Sequence, residues 1–174
     1  MITTTRLVLS MPNLDDFEES FVMGQDEGVA RYIGGTPTTR EDAWKKLLQK
    51  IGHWSAFGYG LFTVRTRDGA RFVGEVGLAH FARDLGSQFD PFPEAAWVLA
   101  PEGHGRGYAT EAVGRAHDWM ARHHAMKRSV CIIHPENAAS RHVAAKLGYV
   151  RFGEADYRGA RPLMFERSGA GANV

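Results

Sequence analysis

The sequence has a single cysteine, Cys131, no apolar run long enough to span a bilayer, and almost no net charge. Each shortage excludes something. A lone thiol cannot form an internal disulfide and fits a reducing compartment. With no 18-residue apolar segment and no leader pattern, neither a membrane span nor export is expected, and the reading is a cytoplasmic chain. A net charge of +1, from 21 basic and 20 acidic residues, leaves no field to gather nucleic acid or membrane. His104, His117, His123 and His134 share no ligand spacing with carboxylates or the cysteine, so no metal is expected. What remains is ordinary for a globule: 174 residues, 44% hydrophobic and 24% charged, enough for one core. One domain is expected over residues 1–168, with a Gly/Ala-rich tail at 169–174 that should fray.

Glycine is plentiful, and three glycines fall at every second position, Gly103, Gly105 and Gly107. They follow an apolar strand expected at 95–99 and a break at Pro101. From Tyr108 the pattern turns helical, with Ala109, Ala112, Val113, Ala116, Trp119 and Met120 on one face. Strand, glycine loop and helix start make an anion site. Glycine lets backbone N–H groups turn toward the ligand, and the first helical turn adds roughly half a positive charge. A P-loop is excluded because Tyr108 and Ala109, not Lys and Ser or Thr, follow Gly107. A Rossmann fingerprint is excluded because only Arg106 separates Gly105 from Gly107.

The stretch 101–112, with its Gly-Arg-Gly-Tyr-Ala-Thr-Glu-Ala core, resembles the acetyl-CoA pyrophosphate loop of the GCN5-related N-acetyltransferases (GNAT), especially the ribosomal-protein N-acetyltransferase branch. The family pattern is Gln/Arg-x-x-Gly-x-Gly/Ala. Gly107 and Ala109 fit its last two positions, and His104 stands where Gln or Arg is usual. A second stretch supports the first. Asn137-x-x-Ser140 followed by Lys146-Leu147-Gly148-Tyr149 resembles the family's segment beside the pantetheine and thiol of coenzyme A. By itself, Asn137 is a helix N-cap and Gly148 a C′ glycine. The opening Thr-Thr-Arg-Leu-Val-Leu with Asp16 is similar to the branch's first strand and helix, so the resemblance covers nearly the whole chain.

The resemblance implies an α/β fold of the GNAT type, with a mixed, mostly antiparallel, twisted sheet of six to seven strands and about four helices. It implies a donor, acetyl-CoA, held by His104, Gly105, Arg106, Gly107, Tyr108, Ala109 and Thr110 and by Asn137 and Ser140. Backbone N–H groups around Val98 and Leu99 can hold the pantetheine arm, because Pro101 ends regular pairing there. A splayed strand pair containing Trp97 and Ile132 would open the slot for that arm. The acceptor would be a small-molecule amine or a protein N-terminus, and the protein a monomer or homodimer. The alternative is a catalytically silent acyl-CoA-binding module.

Acyl transfer to an amine needs the amine neutral and the leaving thiolate protonated. Glu94 is the first candidate base and Glu75 the second, with Asp156 and Glu166 behind them. For the acid, many family members place a tyrosine seven residues after the motif asparagine. That position is Ala144 here, which leaves Ser140, one turn past Asn137, with Tyr149 as an outside candidate. Along the rest of the chain, Asn13 should cap a helix over 15–23, and Thr38-x-x-Glu41 should form a capping box for a helix ending near Gly52. Asp68-Gly69 should join two strands in a hairpin. Residues 83–93 should form a loop, with Phe89 and Phe92 pinning it or lining the acceptor cleft. A strand is expected at 128–133, burying Cys131.

Overall fold

In the computed structural model, which describes residues 1–168, eight strands form one sheet in the order β1-β2-β3-β4-β5-β6-β8-β7. In chain order, β1 (Ile2–Thr3) and β2 (Leu7–Ser10) precede α1 (Phe17–Gln25), α2 (Glu27–Ala30) and α3 (Arg40–Phe57). Then come β3 (Leu61–Thr66), β4 (Phe72–Ala79), β5 (Glu94–Leu99), α4 (Tyr108–His124), β6 (Arg128–Ile133), α5 (Ala138–Lys146), β7 (Val150–Glu154) and β8 (Leu163–Ser168). All neighbours pair antiparallel except β5 and β6, which are parallel. The sheet has one strand more than the upper expectation, and α2 is an extra helix. Both β1, with two residues, and α2, with four, are too short to carry a readable period. The tail at 169–174 lies outside the described residues.

Two boundaries differ from expectation. The N-cap of α3 is Thr39, whose side chain accepts from the Asp42 N–H, not Thr38 with Glu41. The Thr38 N–H instead donates to the Gly24 carbonyl, which holds Thr38 in the loop. The helix also runs past Gly52 to Phe57, where Gly58 ends it at φ +72°. Gly52 has open space around it. A mid-helix glycine costs about 1 kcal/mol, less than the burial of Trp54 in the next turn returns. The strands on either side of the Asp68-Gly69 hairpin and the strand burying Cys131 form as expected. Asn13 caps a single 3-10 turn, Leu14–Asp16, and α1 begins only after it, at Phe17.

The core lies between the sheet and α4, which buries Ala112, Val113, Ala116 and Met120 against β4 and β5. His117 lies within that stripe, 1% exposed. Its Nδ1–H donates to the Val113 carbonyl, so Nε2 accepts, and the Tyr149 hydroxyl reaches it at 2.8 Å. Ser129 Oγ closes the cluster 2.8 Å from the same hydroxyl. Tyr149 reaches this position because Gly148, at φ +81°, turns the chain back under α5. Burial, and then the nearby Arg167 charge, lower the His117 pKa to about 4.

That shift predicts acid sensitivity. The unfolded imidazole titrates near 6.5 and the folded one near 4, so between these values the unfolded chain binds the extra proton. His117 therefore costs no stability above pH ~6.5 and withdraws about 3 kcal/mol as the pH falls to about 4. Thermal melts from pH 7 to 4 should show this slope, and His117→Gln should flatten it. The same slope in both proteins would assign the acid sensitivity to other groups.

Candidate functional site

The glycine loop expected to hold the donor lies at the start of α4. Gly107 is the N-cap residue at φ +75°, and no side chain caps the helix, so the N–H groups of its first turn, Tyr108, Ala109 and Thr110, are left for an external acceptor. Gly105 is also left-handed, at φ +70°. Arg6 anchors the loop from the turn between β1 and β2. Its Nη1 donates to the Arg106 carbonyl at 2.8 Å, its Nε to Glu111 Oε2 at 2.7 Å, and its guanidinium covers the Tyr108 ring. Burial pushes the Glu111 carboxyl upward, but the bonds from Thr4 and Arg6 outweigh it and hold the group below its ordinary value. His104, the departure from the family pattern, donates from Nε2 to the Leu99 carbonyl at 2.9 Å and so ties the loop to the end of β5. Arg106 Nε donates to the Glu102 carbonyl.

Beside this loop the sheet opens. Strand β5 pairs with β4 over its whole length, from Ala79↔Glu94 to Gly74↔Leu99, but with β6 only at Glu94↔Val130. Beyond that point the two strands diverge, as expected for the pair containing Trp97 and Ile132. The gap is a cavity of about 510 Å³ with both residues in its wall. Strand N–H groups alternate sides. The Ala100 N–H donates to Val73 on β4 and the Pro93 carbonyl accepts from Val130 on β6, so the N–H groups of Trp97 and Leu99 face the gap. The Val98 N–H faces β4, and Val98 lines the cavity. On the β4 side, Gly74 permits the close approach: a Cβ there would lie 2.2 Å from the Val98 carbonyl oxygen.

Asn137 and Ser140 line the same cavity. Asn137 Oδ1 caps α5 by accepting from the Ser140 N–H at 3.0 Å. Trp97 Nε1–H donates to Ser140 Oγ at 3.3 Å. An indole N–H can only donate, so Ser140 Oγ accepts there, and its own hydrogen is left for another acceptor.

The other end of the cavity holds Glu94, 4% exposed at the closed apex of the strand pair. Arg83 donates to both of its oxygens, at 2.6 and 2.9 Å, and to the Tyr157 hydroxyl at 2.8 Å. Burial pushes the Glu94 carboxyl above the usual range, the Arg83 hydrogen bonds and charge pull it back, and Asp90 adds a smaller upward push, for a net rise. Glu75 is not among the cavity-lining residues. It is ion-paired with Lys50 and accepts from Ser20 at 2.7 Å. Asp156 lies on the surface with Arg161, Glu166 pairs with Arg128, and Tyr149 is committed to the His117 cluster. Phe89 is buried, and Arg128 covers the Phe92 ring; neither is among the cavity-lining residues.

Sequence reasoning missed Arg83 and Tyr157. Arg83 sits in an aperiodic loop and Tyr157 in a turn between β7 and β8, and neither has a spacing that points to Glu94. The Arg158-Gly159 pair after Tyr157 is the one local sign of a tight turn there.

A splayed parallel pair beside an uncapped, glycine-led helix start defines the class, an α/β acyltransferase. Residues 6–150 match the family described as the acetyltransferase (GNAT) domain, and the chain belongs to that family. Acetyl transfer from acetyl-CoA is the family's general activity. A solved structure from Bordetella pertussis, named for the same family, is 30% identical, covers 96% of this chain and 98% of its own, and superposes with a TM-score of 0.85. An N-acetyltransferase of Bacillus subtilis (strain 168), YnaD, described as uncharacterized, is 28% identical over 152 residues, 87% of this chain and 84% of that one. RimL, the ribosomal L7/L12 α-N-protein acetyltransferase, solved with coenzyme A, shares the fold at 15% identity, with a TM-score of 0.76 and 96% of each chain covered. Among the described residues no helix is long and apolar enough to cross a membrane.

Proposed function

We propose that this protein transfers the acetyl group of acetyl-CoA to a primary amine, small-molecule or protein N-terminal, by direct attack in a ternary complex. The observation that carries this reading is the β5/β6 gap, which joins a donor side at Ser140 and Asn137 to an acceptor side at Glu94. In this reading the first-turn N–H groups of α4 take the pyrophosphate, and the Leu99 N–H takes the pantetheine arm or the thioester carbonyl. The nitrogen of the neutral amine forms a bond to the carbonyl carbon and the C–S bond breaks. Ser140, its oxygen already engaged by Trp97, passes its hydrogen to the departing sulfur. The proton shed by the nitrogen leaves through water, and water returns a proton to the Ser140 oxygen.

A lysine-like amine near pKa 10.4 costs about 4–5 kcal/mol to deprotonate at pH 7, whereas an α-amine near 8 costs about 1–1.5. Glu94 suits this end better than Glu75 because it lines the cavity. Arg83 occupies one lone pair on each of its oxygens. Glu94 is therefore fitted to orient an ammonium group, or a water that relays its proton, rather than to strip the proton by direct contact.

Release of free thiol from acetyl-CoA, followed against a panel of amines, tests the reading. At least one amine should release thiol above the hydrolytic background, and Ser140→Ala should lower that turnover by roughly 10- to 100-fold with little change in donor affinity. Donor binding with no release for any amine would instead identify a silent acyl-CoA-binding module. Full turnover in Ser140→Ala, with chemistry limiting, would make Ser140 structural.

A further inference from the structure

The cavity lining is basic. Arg31, Arg83 and Arg158 belong to it, and Glu94 is its single carboxylate. Glu94 is committed to Arg83, and Arg31 has an exposed partner in Glu136. Arg158 differs: among the described residues no carboxylate lies within ion-pairing distance of it, and its guanidinium rests over the Tyr157 ring.

The backbone under Arg158 is unusual as well. Tyr157 and Ala160 exchange both N–H···O bonds across a two-residue turn, and Arg158 and Gly159 stand at φ +50° and +76°. Two positive φ values make a type I′ turn, which favours Asn, Asp or Gly at its first position and penalises an arginine. Thus a residue that the turn disfavours is held at the rim with its charge unneutralised, two residues from Ala160 and four from Pro162 in the cavity wall.

We infer that the acceptor is an amine that also carries an anionic group, a carboxylate or phosphate, which Arg158 receives while the amine reaches Glu94. This rests on the acetyl-transfer reading above and names its substrate class. An acceptor bearing further positive charges instead of an anion, such as a polyamine, would meet the unpaired charge of Arg158 and find the nearby carboxylates, Glu94 and Glu136, already engaged by Arg83 and Arg31. Arg158 is a specificity-determining residue that takes no part in the chemistry.

The test is calorimetric binding of matched acceptors to the full-length protein saturated with coenzyme A, so that it does not depend on turnover. The probes are phenylalanine and its neutral amide, and ethanolamine phosphate and ethanolamine. Each pair is compared in wild type and in Arg158→Gly, and the comparison cancels intrinsic differences in amine basicity. At least one anionic member should bind wild type more tightly than its neutral partner, and Arg158→Gly should remove about tenfold or more of that preference. The carboxylate and phosphate arms show which anion the site takes. Arg158→Gly should also leave coenzyme A affinity unchanged and the melting temperature equal or higher, since glycine suits the turn. A preference that survives Arg158→Gly, or tighter binding of the neutral members, overturns the inference. So does weakened coenzyme A binding, which would place Arg158 on the donor. Thiol release with the neutral amines is measured separately. Its absence sinks acetyl transfer, while the binding preference still decides the role of Arg158.

Discussion

Coenzyme A is expected to raise the melting temperature of this protein, and Gly107→Val to abolish that rise. At a hundred times its dissociation constant a ligand adds about 2.7 kcal/mol, or roughly 5–10 °C for a chain of this size. The helix that receives the pyrophosphate in our reading begins at Gly107, whose φ of +75° is closed to a β-branched residue without strain. A Cβ there has room, since its nearest neighbour is Arg6 Nη2 at 3.5 Å. The damage from valine is therefore conformational. It drives the backbone out of the left-handed region and turns the N–H groups of Tyr108, Ala109 and Thr110 off a common target. Gly107→Ala, with the milder conflict, should show an intermediate loss. A folded Gly107→Val protein that binds coenzyme A with wild-type affinity would remove the loop from the donor site.

Glu94→Gln is expected to be the most damaging change at the acceptor end, through two separable effects. The first is structural. Arg83 would keep its buried charge beside an amide that offers one acceptor oxygen in place of two, a loss of about 3 kcal/mol, or roughly 5–10 °C in melting temperature. The second is kinetic. Without the carboxylate, turnover depends on the amine that is already neutral in solution, so the pH–rate profile moves to higher pH. Lysine-like acceptors should then lose about 100-fold and α-amines less. Arg83→Gln separates the two, because it breaks the same pair but leaves the carboxylate. Stability should fall, and the acid limb should move up as Glu94 loses the charge that pulls its carboxyl down. Above that limb, lysine-like acceptors should keep their rate relative to α-amines. Equal rates for wild type and Glu94→Gln between pH 6 and 9 would take Glu94 out of the mechanism.

These predictions draw on different levels of organisation. The glycine loop could be read from the chain because its determinants are local. A helix start, two left-handed glycines and the caps at Asn137 and Gly148 are set by residues within a few positions of one another, and their spacing records them directly. The same holds for strands with a clear period and for the hairpin at Asp68-Gly69. The shifted cap of α3 shows where local rules stop. Thr38 and Thr39 are equivalent to a capping rule, and the choice between them was made by a hydrogen bond from Thr38 to Gly24, on another helix.

The acceptor end is the opposite case. Glu94 stood out as an acid directly before the apolar strand expected at 95–99. The sequence carried nothing about Arg83, Tyr157 or Arg158, which arrive from 11 residues before Glu94 or from a turn after β7. Glu75, the second candidate, is likewise placed by tertiary contacts, since its partner Lys50 comes from α3. The sequence by itself determined the glycine loop, the helix starts and the apolar strands, because propensity, capping and hydrophobic period act over short separations, and the fold was legible through the family resemblance those segments carry. The tertiary structure alone decided which charges meet at the acceptor mouth, because ion pairing depends on distances in space that spacing along the chain does not encode.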